Sequence, residues 1–264
     1  MRCRVMGILN VTPDSFSDGG RYFERDDAVA RGLEMLEAGA RIVDVGGEST
    51  RPGAEPVSQD EERSRVVPVI AGIRERRNDA VLSIDTMKAD VAAAALEAGA
   101  TFVNDVSAGR DPRMFKVVAE HGASICLMHM RGEPRTMQEN PTYGDVVEEV
   151  RDELLRRAEA AVRAGVDPAR IVIDPGIGFG KTREHNLRLL RRIDAFVQTG
   201  LPVLVGASRK SFIGLTLDVP VDERLEGSLG VAAWCAIAGV WAVRVHDVRE
   251  TARMLEMMTA VAES

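Results

Sequence analysis

Two carboxylates and an amide, Asp85, Asp174 and Asn104, stand at the ends of short apolar runs. Facing one pocket, such groups match a heterocycle that offers N–H donors and a carbonyl acceptor, because an amidine-like edge gives a bidentate pair to a carboxylate. Each also has a plainer reading, since an Asp after a strand often caps the next helix. That alternative stands for Asp85, which Thr86 follows; it is weaker for Asp174, because no helix can start in the Pro-Gly-Ile-Gly-Phe-Gly that follows. The cations fall elsewhere: Arg51, Arg209, Lys210, Arg244 and His246 follow other apolar runs, and in Arg244-Val245-His246 strand alternation sends both polar side chains to one face. A polar pocket beside an anion pocket describes a heterocycle carrying a phosphate or pyrophosphate.

Eight strands must position these groups. Apolar runs at 4–10, 41–46, 81–85, 101–105, 124–129, 170–174, 202–205 and 242–246 have strand length and β-branched content, and they end on or lead into Asn10, Asp44, Asp85, Asn104 with Asp105, His129, Asp174, Ser208, and Arg244 with His246. Near-continuous apolar runs suit parallel strands covered by helices on both faces. The segments between them show helical spacing. In 145–164, Val146, Val147, Val150, Leu154, Leu155, Ala158, Ala161 and Val162 recur every three or four residues. Gly39, Gly99, Gly122, Gly165 and Gly239 each precede a strand where a helix end favours the left-handed conformation. The expected class is α/β, a single-domain (β/α)8 TIM barrel spanning residues 1–264. A doubly wound open sheet shares this periodicity, but it would gather ligand residues at one strand-order reversal; here they are spread over every strand.

In such barrels the active site lies at the C-terminal strand ends, with phosphate near the loops after strands seven and eight, where Ser208-Arg209-Lys210 and Arg244-Val245-His246 fall. Long loops at 10–20 and 46–53, rich in Gly, Pro and hydroxyl residues, complete the mouth as segments able to rearrange over a ligand. With 34 Lys and Arg against 41 Asp and Glu, the net charge of −7 argues against nonspecific nucleic-acid or membrane-surface binding. The three cysteines, Cys3, Cys126 and Cys235, lack any metal-clip spacing and read as free thiols of a cytoplasmic protein, with no signal peptide expected before the first strand. The uncharged run 229–243 is too short to span a membrane. Its helix is apolar nearly all round, and a second copy in a homodimer is the simplest cover for its outer face, against a cover made by its own chain.

Eight motifs then carry a resemblance: NVTPDSFSDGG at 10–20, DVGGESTRPG at 44–53, SIDT at 83–86, NDVSAG at 104–109, LMHM at 127–130, DPGIGFGK at 174–181, GASRK at 206–210 and RVHDV at 244–248. In this order over nearly the whole chain, they resemble the dihydropteroate synthase family, folate-pathway enzymes inhibited by sulfonamides. The resemblance implies condensation of 6-hydroxymethyl-7,8-dihydropterin pyrophosphate with 4-aminobenzoate to 7,8-dihydropteroate and pyrophosphate. It further implies that Asp85, Asn104, Asp174 and Lys210 hold the pterin, with Met128 and Phe179 packed around it and Gly206 in the substrate site. By the same resemblance Asn10, Arg51, Arg244 and His246 hold the pyrophosphate, with Mg2+ near Asn10, and Phe16, Thr50, Pro52 and Ser208 border the aminobenzoate. Asp85, Asp174 and Lys210 take the catalytic roles. Two other readings remain: a non-catalytic pterin-binding paralogue, and a folate-dependent methyltransferase domain that needs no pyrophosphate corner. Asp44, Asp105 and His129 are expected to be structural, and Lys181 to be a solvated lysine.

Overall fold

Each apolar run forms a strand because it can bury one face inside a closed sheet and the other under helices. The computed structural model describes residues 3–11, 21–49, 55–133 and 136–264, with the side chains of 21–24 excepted. Its strands are β1 (Arg4–Asn10), β2 (Ile42–Gly46), β3 (Val81–Asp85), β4 (Phe102–Asp105), β5 (Ser124–Met128), β6 (Ile171–Asp174), β7 (Leu204–Val205) and β8 (Ala242–Val245). The helices are α1 (Arg21–Glu37), α2 (Gln59–Arg76), α3 (Ala89–Glu97), α4 (Met114–Glu120), α5 (Val146–Arg163), α6 (Arg183–Arg191), α7 (Asp194–Val197), α8 (Ser211–Leu217), α9 (Leu225–Ile237) and α10 (Val248–Glu263). The strands pair in parallel in the order β6-β5-β4-β3-β2-β1-β8-β7, and a bridge from Ile173 to Val203 joins the two edges. This is the expected (β/α)8 barrel.

The strand ends differ from expectation by one or two residues. His129 and His246 stand just past β5 and β8, and β7 keeps only Leu204 and Val205. Pro202 has no N–H to give a neighbouring strand, although its carbonyl accepts from the Ile173 N–H at 2.9 Å. The helix expected over 145–164 runs from Val146 to Arg163, and Asp145 caps it by accepting from the Val147 and Glu148 N–H groups. The five helix-terminal glycines all have positive φ, between 58° and 112°.

Strand alternation divides the core into two layers. Val43, Val45, Ile84, Val103, Ile125, Leu127, Ile173, Val205 and Val243 belong to the large cluster shared with the helices. Met6, Ile42, Phe102, Cys126, Val172, Leu204 and Ala242 form a separate cluster inside the barrel. Two residues further on the same face come Asp44, Asn104, Met128, Asp174, Gly206 and Arg244. Register aligns them, since Gly46 pairs with Asp85, Asp85 with Asn104, and Met128 with Asp174. The apolar plug thus forms the floor on which a polar layer stands. On the outside, the described residues of the chain itself do not cover the outer face of α9. The helix buries Ala232, Cys235 and Ala236 but exposes Trp234 at 52% and Ile237 at 68%. No helix among the described residues is long and apolar enough to cross a membrane.

Candidate active site

The centre of the polar layer is a buried ion cluster. Arg244, from β8, donates through Nε to Asp44 Oδ2 and through Nη2 to Asp85 Oδ2, both at 2.6 Å. Asp44 also accepts from Ser83 Oγ at 2.5 Å and Asn104 Nδ2 at 2.9 Å. Asp44, expected to be structural, therefore lies at the heart of the site and orients Asn104 and Arg244. The signal was present: Asp44 shares strand parity with Ile42, so it had to face inward. Asp85 keeps one oxygen, Oδ1, buried and without a hydrogen-bond partner. Burial raises the Asp85 pKa; Arg244 opposes this, while Asp44, Glu62 and Asp105 reinforce it. Burial also works against the Arg244 charge, but Asp44 and Asp85 outweigh it and hold the guanidinium ionised.

Asp174 and the glycine-rich segment after it form the opposite wall. Its Oδ1 accepts from the Gly176 N–H at 2.7 Å. Gly176 has φ +68°, and a Cβ there would lie 1.9 Å from the His129 carbonyl oxygen, so only glycine fits. Lys210 reaches across to the Ile177 carbonyl at 2.5 Å, and its ammonium lies 4.3 Å from the centroid of the Phe179 ring. Phe179 packs against the cluster of Val106, Met128, Met130 and Met137. Gly206 lies beside both cations, where an added Cβ would meet Lys210 Nζ at 3.9 Å and Arg244 Cβ at 3.7 Å, ordinary contact distances. Burial raises the Asp174 pKa against the Gly176 N–H, Lys210, Lys181 and Arg244. Burial lowers the Lys210 pKa to about 8, against Asp174 and Asp85 and with Arg244.

Ser208 Oγ meets both the His246 backbone N–H at 3.2 Å and His246 Nδ1 at 3.1 Å, linking the ends of β7 and β8. Arg209, between Ser208 and Lys210, adopts φ +56°, held by Ser228 Oγ on its N–H and Arg224 on its carbonyl. Its guanidinium turns to Asp247 at 2.9 Å, leaving the anion corner to its neighbours. Asn10 is half-buried at the end of β1, in register with Gly46. Phe16, Thr50, Arg51 and Pro52 lie outside the described residues. The base of the second loop is well tied, since Lys88 Nζ bonds Glu48, Glu62 and the Val57 carbonyl at 2.8, 2.5 and 2.7 Å.

Two expectations away from the pocket part company. Asp105 is structural, accepting from the Ser107 N–H, the Ser107 hydroxyl and the Gly109 N–H. Lys181, by contrast, is not solvated: it is 3% exposed and bonded to His129 and the Phe179 carbonyl. A lysine after three glycines reads as surface, and only the arrival of β5 beside it supplies the acceptors that let it be buried.

Fold and site together define a barrel enzyme that reads a heterocycle through buried acids, and residues 6–246 match the family described as pterin binding enzyme. The dihydropteroate synthase of Bacillus subtilis (strain 168) is 49% identical over 263 residues, covering 97% of this chain and 88% of that protein. Dihydropteroate synthase of Xanthomonas albilineans with 4-aminobenzoic acid superposes with a TM-score of 0.93 at 45% identity, over 100% of this chain and 94% of that one. The complex of the enzyme from the same organism with 7,8-dihydropteroate gives 0.90 at 42% identity, over 100% and 95%. The chain belongs to the dihydropteroate synthase family.

Proposed function

We propose that this chain is a transferase that condenses 6-hydroxymethyl-7,8-dihydropterin pyrophosphate with 4-aminobenzoate, giving 7,8-dihydropteroate and pyrophosphate. The observation that carries this reading is the unpartnered Asp85 Oδ1, buried at the level of Asn104 in the barrel mouth. A buried acceptor left unpaired is costly, and a pterin N–H removes that cost. Relatives with the same fold bind 4-aminobenzoic acid and 7,8-dihydropteroate.

Charge then sets the roles. The methylene C–O bond to the pyrophosphate breaks, positive charge spreads into the pterin, the C–N bond forms and the amine loses a proton. Asp85 and Asp174 stabilise the cation from fixed positions, and such preorganised electrostatics require no covalent enzyme intermediate. Lys210 and Phe179, stacked on each other, hold the heterocycle from one side. His246 and Arg244, with Asn10, face the leaving group; Arg244 does so while anchored to Asp44 and Asp85. The aromatic amine is neutral at pH 7 and needs no strong base.

Among the described residues no group of three His, Cys, Asp or Glu can cage a metal. Asn10 offers one neutral amide oxygen, which suits a Mg2+ ion carried in on the pyrophosphate, since Mg2+ is commonly held by few protein ligands plus substrate phosphates. Bound there, Mg2+ supplies charge neutralisation to the leaving group. The exposed Trp234 and Ile237 of α9 support a homodimer built on that face, and the free thiols of Cys3, Cys126 and Cys235 suit the cytoplasm. The test is pyrophosphate release measured with and without 4-aminobenzoate. Release that needs both substrates and Mg2+ and yields dihydropteroate supports the reading; binding without release would assign a non-catalytic pterin protein instead.

A further inference from the structure

Lys181 is a buried cation that the mechanism above leaves unused. Its Nζ meets three acceptors: the Phe179 carbonyl at 2.9 Å, the His129 carbonyl at 3.3 Å and His129 Nδ1 at 3.0 Å. An ammonium has three protons, so all three contacts are satisfied when Nδ1 carries a lone pair and the imidazole proton sits on Nε2. That tautomer has an external cause. His129 Nε2 lies 3.4 Å from Glu153 Oε2 on α5 without an aligned hydrogen bond, and the carboxylate's charge at that distance favours a proton on Nε2 over a lone pair facing it. Glu153, His129 and Lys181 thus form a chain from the half-exposed face of α5 to the back of the segment 175–180.

The other side of that segment is the pterin wall. Gly176 donates to Asp174, the Ile177 carbonyl takes Lys210, and the Phe179 ring lies under the Lys210 ammonium. We propose that Lys181 is a positioning residue for the pterin: its ammonium, oriented through the His129 tautomer that Glu153 imposes, clamps segment 175–180 to the end of β5 and so sets Phe179 and Lys210 against the heterocycle. The inference rests on the pterin reading above.

The surrounding charges make the clamp sensitive to pH. Burial lowers the Lys181 pKa to about 7; Asp174 on β6 and Glu153 on α5 oppose the fall, while Lys210 after β7 and Arg131 after β5 add to it. His129 is itself driven towards the neutral form by burial, against Glu153 and with Lys181 and Arg131. His185 on α6 is the remaining group that feels the Lys181 charge, and burial lowers its pKa too. Once Lys181 loses its proton, two N–H groups face three acceptors. One contact must then fail or His129 must change tautomer against Glu153.

The experiment measures KM for each substrate and kcat between pH 6 and 9 for wild type, Lys181→Met and Glu153→Gln, together with imidazole 15N chemical shifts of the unliganded proteins. The His129 signal is assigned by its loss in His129→Gln. In wild type Nδ1 should be unprotonated and Nε2 protonated. Lys181→Met should raise the pterin KM about tenfold, the scale of losing charge-assisted hydrogen bonds, and leave the aminobenzoate KM within about twofold. Glu153→Gln, a change at a half-exposed side chain, should shift the rise of pterin KM with pH to lower pH and leave the pH 6 value near that of wild type. A pterin KM profile unmoved in Glu153→Gln, or a proton found on Nδ1 in wild type, overturns the proposal even if Lys181→Met does not fold. Wild-type protein that makes no dihydropteroate overturns the functional reading instead, and the tautomer and its response to Glu153→Gln still decide whether the clamp exists.

Discussion

Replacing Asp44 separates charge from shape in the ion cluster. In Asp44→Asn the amide nitrogen can take the place of Oδ1 and donate to Ser83 Oγ, while the amide oxygen takes the place of Oδ2 and still accepts from Asn104 and Arg244. Geometry is kept and one charge is lost. Two unit charges 4 Å apart interact by about 4 kcal/mol at an effective dielectric of 20, but relief of the Asp44–Asp85 repulsion returns part of this, and Arg244 keeps Asp85 at 2.6 Å. The expected cost is about 2 kcal/mol for Asp44→Asn, and about 4 kcal/mol for Asp44→Ala, which also strips the three hydrogen bonds and leaves a cavity. Guanidinium unfolding followed by circular dichroism measures both. The Asp44 charge is one of the causes that raise the Asp85 pKa, so its removal lowers that pKa. Asp85 is needed ionised, and activity is lost as pH falls through its folded pKa; the acid limb of kcat/KM for the pterin substrate should therefore move to lower pH. Equal stability losses for the two variants, or an acid limb that stays put, would refute the reasoning.

Asp174→Asn should retain the fold, because the Gly176 N–H keeps an oxygen to donate to, yet lower kcat by about 100-fold or more, the usual scale for one preorganised electrostatic group; near-normal turnover would remove Asp174 from cation stabilisation. Gly176→Ala must push the segment away from the His129 carbonyl, and pterin affinity measured by calorimetry should fall by more than that for 4-aminobenzoate. Trp234→Glu puts a charge on the exposed apolar face of α9. Sedimentation equilibrium should show monomers where the parent protein dimerises, and a parent that is monomeric at every concentration would remove the homodimer proposal.

The barrel was legible because its signals are local: the apolar runs, the amphipathic repeat of 145–164 and the glycines at helix ends each follow from nearby residues. Asp85, Asn104 and Asp174 were legible for the same reason, as polar ends of apolar strands. The place of Asp44 was less legible: its parity with Ile42 sets it facing inward, but its partners cross from β8 and β4 and no local spacing announces them. Lys181 was less accessible still. Its burial depends on His129, 52 residues away in sequence, and no spacing within the glycine-rich segment encodes that meeting. At the start of β7, Pro202 lacks an N–H to donate, and its carbonyl and that of Val203 still accept from neighbouring strands.

The junction of β6 and β7 has a consequence for how substrate and scaffold share stability. β1 and β2 register over five residues, whereas β6 and the chain leading into β7 meet through one bridge. The barrel is a belt, and this is its buckle. Asp174 ends β6 on one side, and Ser208 and Lys210 follow β7 on the other, so a pterin held by Asp174 and Lys210 as proposed would straddle this join. Under that proposal substrate would act as a missing rung of the ladder, and the thin stretch of the wall would be the stretch that occupancy reinforces.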